Sequence, residues 1–181
     1  MSRAGYILTG GASSRMGCDK ALLDWEGRPM TVHMASIVEP VTGSVTLVGS
    51  PNKYGHLGFA VIADKESGMG PLAGIRTVLE NSTADWNLIV ACDMPYLNSE
   101  LLARLLHHAE VVGFADCLMP AGQPLCAVYH RRCLTEVDKA LNAGVRKVWD
   151  GLSNLRVELF EVDEPLCFQN INRPQDMLKL V

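Results

Sequence analysis

The chain lacks a CxxC pair, an HExxH motif, the spacing of a P-loop, a GxGxxG fingerprint and any long apolar run. Each absence removes a class of function. The six cysteines stand at positions 18, 92, 117, 126, 133 and 167, too dispersed for zinc-ligand spacing. Most lie in apolar runs such as Val90-Ala91-Cys92, where a reduced thiol behaves as a small hydrophobe. The five histidines show no ligand pairing, and a helix would point the adjacent His107 and His108 in different directions. No stretch approaches the roughly 20 apolar residues of a membrane span. Met1-Ser2-Arg3-Ala4 runs into a strand-like segment without the apolar core of a signal peptide. Basic charge is also in deficit: 16 Lys and Arg against 20 Asp and Glu leave a net −4. That excludes a broad nucleic-acid face, so any polyanionic ligand must be held by a local site. The expectation is a soluble, cytoplasmic protein with no nucleic-acid or membrane partner. A length of 181 residues fits one domain, 1–181, with a core large enough to need no disulfide or metal scaffold.

What is present is alternation. Residues 6–9, 45–48, 60–63, 88–91, 125–129 and 157–162 read as strands, the first four nearly all apolar, as in a parallel sheet covered on both faces. Helical spacing is predicted over 29–39, 71–80, 99–109 and 132–142, with a short closing helix over 174–180. Asn98 or Ser99 is the expected N-cap of the third, and Ala143-Gly144 the stop of the fourth. This alternation implies right-handed βαβ units and an α/β, doubly wound sheet. From about Ala115 the strands crowd, which reads as a mixed-sheet flap over the site. Ligands in such sheets bind beyond the carboxyl ends of strands, so the loops at 9–20, 64–74 and 92–96 carry the most interest.

The first loop reads Leu8-Thr9-Gly10-Gly11-Ala12-Ser13-Ser14-Arg15-Met16-Gly17-Cys18-Asp19-Lys20. Gly10 and Gly11 allow backbone amides to approach an anion, Ser13 and Ser14 add hydroxyl donors, and Arg15 and Lys20 bring positive charge. Asp93 ends the apolar run Leu88–Ala91 plus Cys92, and Pro95 blocks its continuation. A carboxylate there either caps a turn or meets a cation. Magnesium suits it, taking one or two carboxylates together with substrate phosphates and water.

The run GGASSRMGCDK resembles the GGxSSRMGxDK motif of the molybdenum cofactor guanylyltransferases, within the wider nucleoside-triphosphate transferases. Cys92-Asp93-Met94-Pro95 and Gly70-Pro71-Leu72-Ala73-Gly74 resemble two more of that family's motifs. The resemblance implies a three-layer Rossmann-like nucleotidyltransferase fold with a mostly parallel, partly mixed sheet. Residues 1–100 would form the nucleotide-binding half and 101–181 the acceptor half. Backbone atoms of Leu8, Thr9 and Gly10 would touch the nucleotide; Thr9 replaces the family's usual Ala. Arg15 and Lys20 would neutralise phosphate charge, and Asp93 would hold Mg2+. Asp64 falls where the family binds the nucleotide, to guanine or else as a ribose or structural contact. Gly70 and Gly74 give either close backbone approach or tight packing, and Gly49 is placed near the base.

In the C-terminal part, Arg146 and Lys147 would meet the phosphate of a pterin or else remain a solvated pair at a helix end. Asn170 and Asn172 would bind substrate or stabilise the turn before Pro174; their motif departs from the family's at Arg173 and Gln175. The implied activity is GMP transfer from GTP to molybdopterin, by a monomer that hands its product to molybdoenzyme-maturation proteins. A cytidylyltransferase acting on the same pterin and a non-catalytic nucleotide-binding or cofactor-carrier protein are the competing readings.

Overall fold

Strands that are apolar at every position must be buried on both faces, and the pleat then divides their side chains between two cores. The computed structural model describes residues 1–9, 19–64, 68–163, 165–171 and 176. In it, Ile7, Leu47, Leu88, Val90 and Val128 join one cluster, while Tyr6, Leu8, Val48, Ile89 and Ala127 join the other.

The elements follow in the order β1 (Arg3–Leu8), β2 (Asp24–Trp25), β3 (Arg28–Pro29), α1 (Met30–Thr42), β4 (Val45–Val48), α2 (Pro51–Tyr54), β5 (Ala60–Ile62) and α3 (Pro71–Asn81). Then come β6 (Trp86–Ala91), α4 (Ser99–Val112), β7 (Cys117–Pro120), β8 (Cys126–His130), α5 (Leu134–Asn142), α6 (Val148–Gly151) and β9 (Val157–Phe160). Helices α1 and α4 cover the first core through Met34, Val38, Leu102 and Leu105. Helices α3, α5 and α6 cover the second through Leu72, Ile75, Val137 and Val148. The architecture is α/β in three layers.

The seven-stranded sheet has the order β5-β4-β1-β6-β8-β7-β9, and β2 and β3 form a separate small hairpin. Every ladder of the large sheet is parallel except the two that β8 makes, with β6 and with β7. The chain steps outward from β1 to β4 and β5, then returns to pair β6 on β1's other side. Strand order therefore reverses between β1 and β6, which opens a crevice beyond their carboxyl ends. Register places Leu8 opposite Ala91, so Thr9 and Cys92-Asp93 leave the sheet side by side.

The local rules explain the boundaries. Asn98 is the α4 cap, its side-chain oxygen accepting from the Leu101 amide at 2.8 Å. Helix α1 runs past Pro40 and stops at Gly43, whose left-handed backbone (φ 77°) sends its amide to Glu39 O. The mixed pairing expected after Ala115 is present, but within the central sheet and not as a flap. Residues after Ala115 continue the same sheet, because Cys117 and Leu118 pair antiparallel with Tyr129 and Val128. Close strand spacing there signals an antiparallel pair within the sheet, not a separate layer. The helix expected over 174–180 lies outside the described residues, Asp176 apart. Among the described residues, no helix is long and apolar enough to cross a membrane.

Candidate functional site

Lys20 and Asp93 come from opposite sides of the β1–β6 crevice. Asp93 follows β6 by two residues, and the Cys92 amide donates to Leu8 O at 3.2 Å, extending the ladder past the strand end. Two further bonds hold this turn: the Ile171 amide donates to Asp93 O at 2.8 Å, and His33 Nε2 lies 2.8 Å from Pro95 O. On the other ring nitrogen, Arg28 stands 2.9 Å from His33 Nδ1. A guanidinium can only donate, so Nδ1 accepts and Nε2–H donates to Pro95. Trp25, on the β2–β3 hairpin, meets Tyr96 edge-to-face at 5.3 Å and His33 at 5.9 Å, closing the same side.

Lys20 opens a short 3-10 turn, Lys20–Leu22, capped by Asp19, whose side chain accepts from the Ala21 amide. Thr31 Oγ1 donates to Ala21 O at 2.7 Å and fixes the turn against α1. From there the Lys20 ammonium reaches Asp93 Oδ2 at 3.3 Å, both side chains about one-fifth exposed (21% and 18%). A cation and a carboxylate at this separation, each still partly reached by solvent, can each take a side of a phosphate and its counter-ion.

The other predicted residues divide. Thr9 is buried; its amide and its Oγ1 both donate to Val48 O, at 3.0 and 2.8 Å. Leu8 turns its side chain into the core and gives its carbonyl to Cys92. Gly74 is buried in α3, where a Cβ would come 3.3 Å from Leu8 Cδ2, so its surroundings show tight helix–strand packing. Gly70 takes a left-handed backbone (φ 91°) at the start of α3, and a Cβ on it would lie 3.2 Å from Arg146 O. The start of the 70–74 motif and Arg146 are thus neighbours. The Arg146 guanidinium donates to Leu141 O and Val145 O, both at 3.1 Å, at the end of α5. Lys147 beside it is exposed. Asp64 is half-buried two residues beyond β5, and Asn170 is exposed next to Ile171, hence next to the Asp93 turn. Gly10, Gly11, Ser13, Arg15 and Asn172 lie outside the described residues.

Cys92 is not a nucleophile despite its place beside Asp93. Burial first, then the neighbouring Asp93 and Asp19 charges, push its thiol far above the ordinary value. Among the described residues, no group of three or more His, Cys, Asp or Glu could hold a metal by itself. A single carboxylate nevertheless suits magnesium that arrives on phosphates, since that ion retains waters and needs only one or two protein ligands.

Sequence reasoning missed Tyr54, His33 and Thr31 as supports of the site. For Asp19 a signal was present, an Asp directly before a helix-compatible run. For Tyr54 there was none, because its partner Asp19 lies 35 residues away.

A family model described as MobA-like NTP transferase domain matches residues 5–157. A protein named molybdenum cofactor guanylyltransferase from Shewanella putrefaciens is 35% identical, over 92% of this chain and 89% of its own. One named probable molybdenum cofactor guanylyltransferase from Flavobacterium johnsoniae is 31% identical, over 95% and 93%. The crystal structure of molybdopterin-guanine dinucleotide biosynthesis protein A from Archaeoglobus fulgidus superposes with a TM-score of 0.82 at 26% identity, covering 98% of this chain and 95% of that one.

Proposed function

Because the chain belongs to the MobA-like NTP transferase family, we propose that it is a molybdenum cofactor guanylyltransferase. It transfers GMP from GTP to the terminal phosphate of molybdopterin, giving molybdopterin guanine dinucleotide and pyrophosphate. The observation that carries this reading is the Lys20–Asp93 pair at the point where strand order reverses. An acceptor phosphate oxygen forms a bond to the α-phosphorus as the bond to the pyrophosphate oxygen breaks. Such a transfer asks the protein for positioning and charge neutralisation more than for covalent chemistry.

Asp93 would hold Mg2+, whose chemistry there is to neutralise phosphate charge. Lys20 places an ammonium against the same phosphates, and Arg15 is assigned the same task from its place in the motif. Leu8, Thr9, Gly10, Gly11 and Ser13 are assigned to the nucleotide. Asp64 is assigned to its guanine or ribose, and Gly74 to fitting α3 tightly behind the loop. Arg146, Asn170 and Asn172 are assigned to the pterin acceptor. This divides the domain into a nucleotide-binding half, 1–100, and an acceptor half, 101–181. The described cysteines are free and buried, which suits a reducing cytoplasm. We assign a monomer that passes its product to molybdoenzyme-maturation proteins.

The test offers the purified protein magnesium, molybdopterin and either GTP or CTP, and follows pyrophosphate and dinucleotide mass. GTP is expected to be preferred by about a hundredfold or more, the scale for a site that pairs with base donors. Preference for CTP would make it a cytidylyltransferase, and GTP binding without turnover would make it a carrier.

A further inference from the structure

We propose that Tyr54 is a positioning residue of the transfer centre: its hydroxyl ties together Thr9 and Asp19, the residues flanking the glycine-rich stretch, and so sets Lys20 opposite Asp93. Tyr54 ends α2, beyond the carboxyl end of β4, and is only 3% exposed. Its Oη lies 3.0 and 3.2 Å from the two Asp19 carboxylate oxygens and 3.3 Å from Thr9 O. A phenol has one proton. It goes mainly to the charged carboxylate, with Thr9 O as the longer third centre. Burial, reinforced by the Asp19 charge, holds the phenol well above its ordinary pKa, so the hydroxyl remains a donor at any working pH.

The arrangement also answers why an acid sits beside a phosphate-binding motif. The Asp19 carboxylate accepts from Tyr54, from the Ala21 amide and from the Lys53 ammonium at 3.2 Å. Its charge is therefore directed into the scaffold, where it caps the turn that carries Lys20. Space for the clamp comes from Gly49, where a Cβ would strike Thr9 Oγ1 and lie 2.8 Å from Tyr54 Cε2. Gly49 is thus the seat of the tyrosine ring.

The catalytic consequence rests on the transfer reading above, but the geometry can be tested without it. The first readout is the acetylation rate of the Lys20 amine by N-hydroxysuccinimide acetate on the full chain without nucleotide, measured by peptide mass spectrometry. Tyr54→Phe keeps the ring, so its melting temperature should stay within about 3 °C of wild type while Lys20 labels about threefold or more faster. The second readout is GMP transfer. Loss of one charge-assisted bond should lower kcat about tenfold or more, with a smaller change in KM for GTP. In a Lys20→Ala background, Tyr54→Phe should cost nothing further. Asp19→Asn, which weakens the same bond from its other end, should reproduce both effects if Tyr54→Phe folds poorly. Unchanged Lys20 labelling in both variants, or kcat losses that add to that of Lys20→Ala, would overturn the proposal. Faster Lys20 labelling in the variants, with no GMP transfer by the wild-type protein, would uphold the clamp and sink the transfer reading.

Discussion

The most informative residue beside the glycine-rich stretch is Thr9, whose hydroxyl donates inward to Val48 O beside the residue's own amide. That hydroxyl fits because Gly49, across the β1–β4 edge, has no side chain, and the Tyr54 ring occupies the rest of the space. The three residues therefore form one packed unit. Gly49→Ala would drive a methyl into Thr9 Oγ1 and the tyrosine ring, neither of which is a free end. Overpacking of this kind costs about 1–3 kcal/mol, which urea unfolding should register. An unchanged midpoint would mean that Thr9 and Tyr54 are not held as described. None of this was readable in advance, because a glycine after a strand reports only that small is required, not what fills the gap. Lys20 and Asp93 were readable, since each is a charged residue directly beyond a motif or an apolar strand.

Among the elements, those buried on two faces were legible and those defined by pairing were not. The stretch 45–48 is a strand in both sequence and structure, because a short run of β-branched and apolar residues (Val45-Thr46-Leu47-Val48) bounded by Gly49 has few other uses in a sheet protein. Strand β7 went unrecognised: it has four residues, ends in Pro120, and owes its existence to ladders with β8 and β9. That edge is tied by an ion cluster. Asp116, 8% exposed, accepts from the Arg156 guanidinium at 2.9 and 3.0 Å, from the Arg156 amide at 2.9 Å, and from Arg132. Arg156 first, then Arg132, hold its carboxyl far below the usual range despite burial. A depressed carboxylate adds stability above its unfolded pKa of about 3.9, and that stability fades as pH falls toward the folded value. Asp116→Asn should then cost about 2 kcal/mol at pH 7 by urea unfolding, with the gap to wild type closing below about pH 4. A gap independent of pH would show that the charge is not what matters.

For the whole molecule, a net charge of −4 excludes a broad anion-binding face, and the sheet topology supplies a small one. Where the strand order reverses, the parallel strands β1 and β6 end side by side. There the chain sets one ammonium 3.3 Å from one carboxylate. The Asp93 turn is braced by residues from distant parts of the chain, His33 and Ile171. The Lys20 turn is braced likewise by Thr31 and, through Asp19, by Tyr54. The topology class followed from the alternation of elements, but these braces depend on contacts that no local pattern encodes. The most direct test is the steady-state rate of GMP transfer to molybdopterin by Asp93→Ala and Lys20→Ala, each first shown to melt as wild type does. Each rate should fall at least about a hundredfold, the scale for losing one charge stabiliser; wild-type turnover in either folded variant would contradict the assignment of this pair as the catalytic centre.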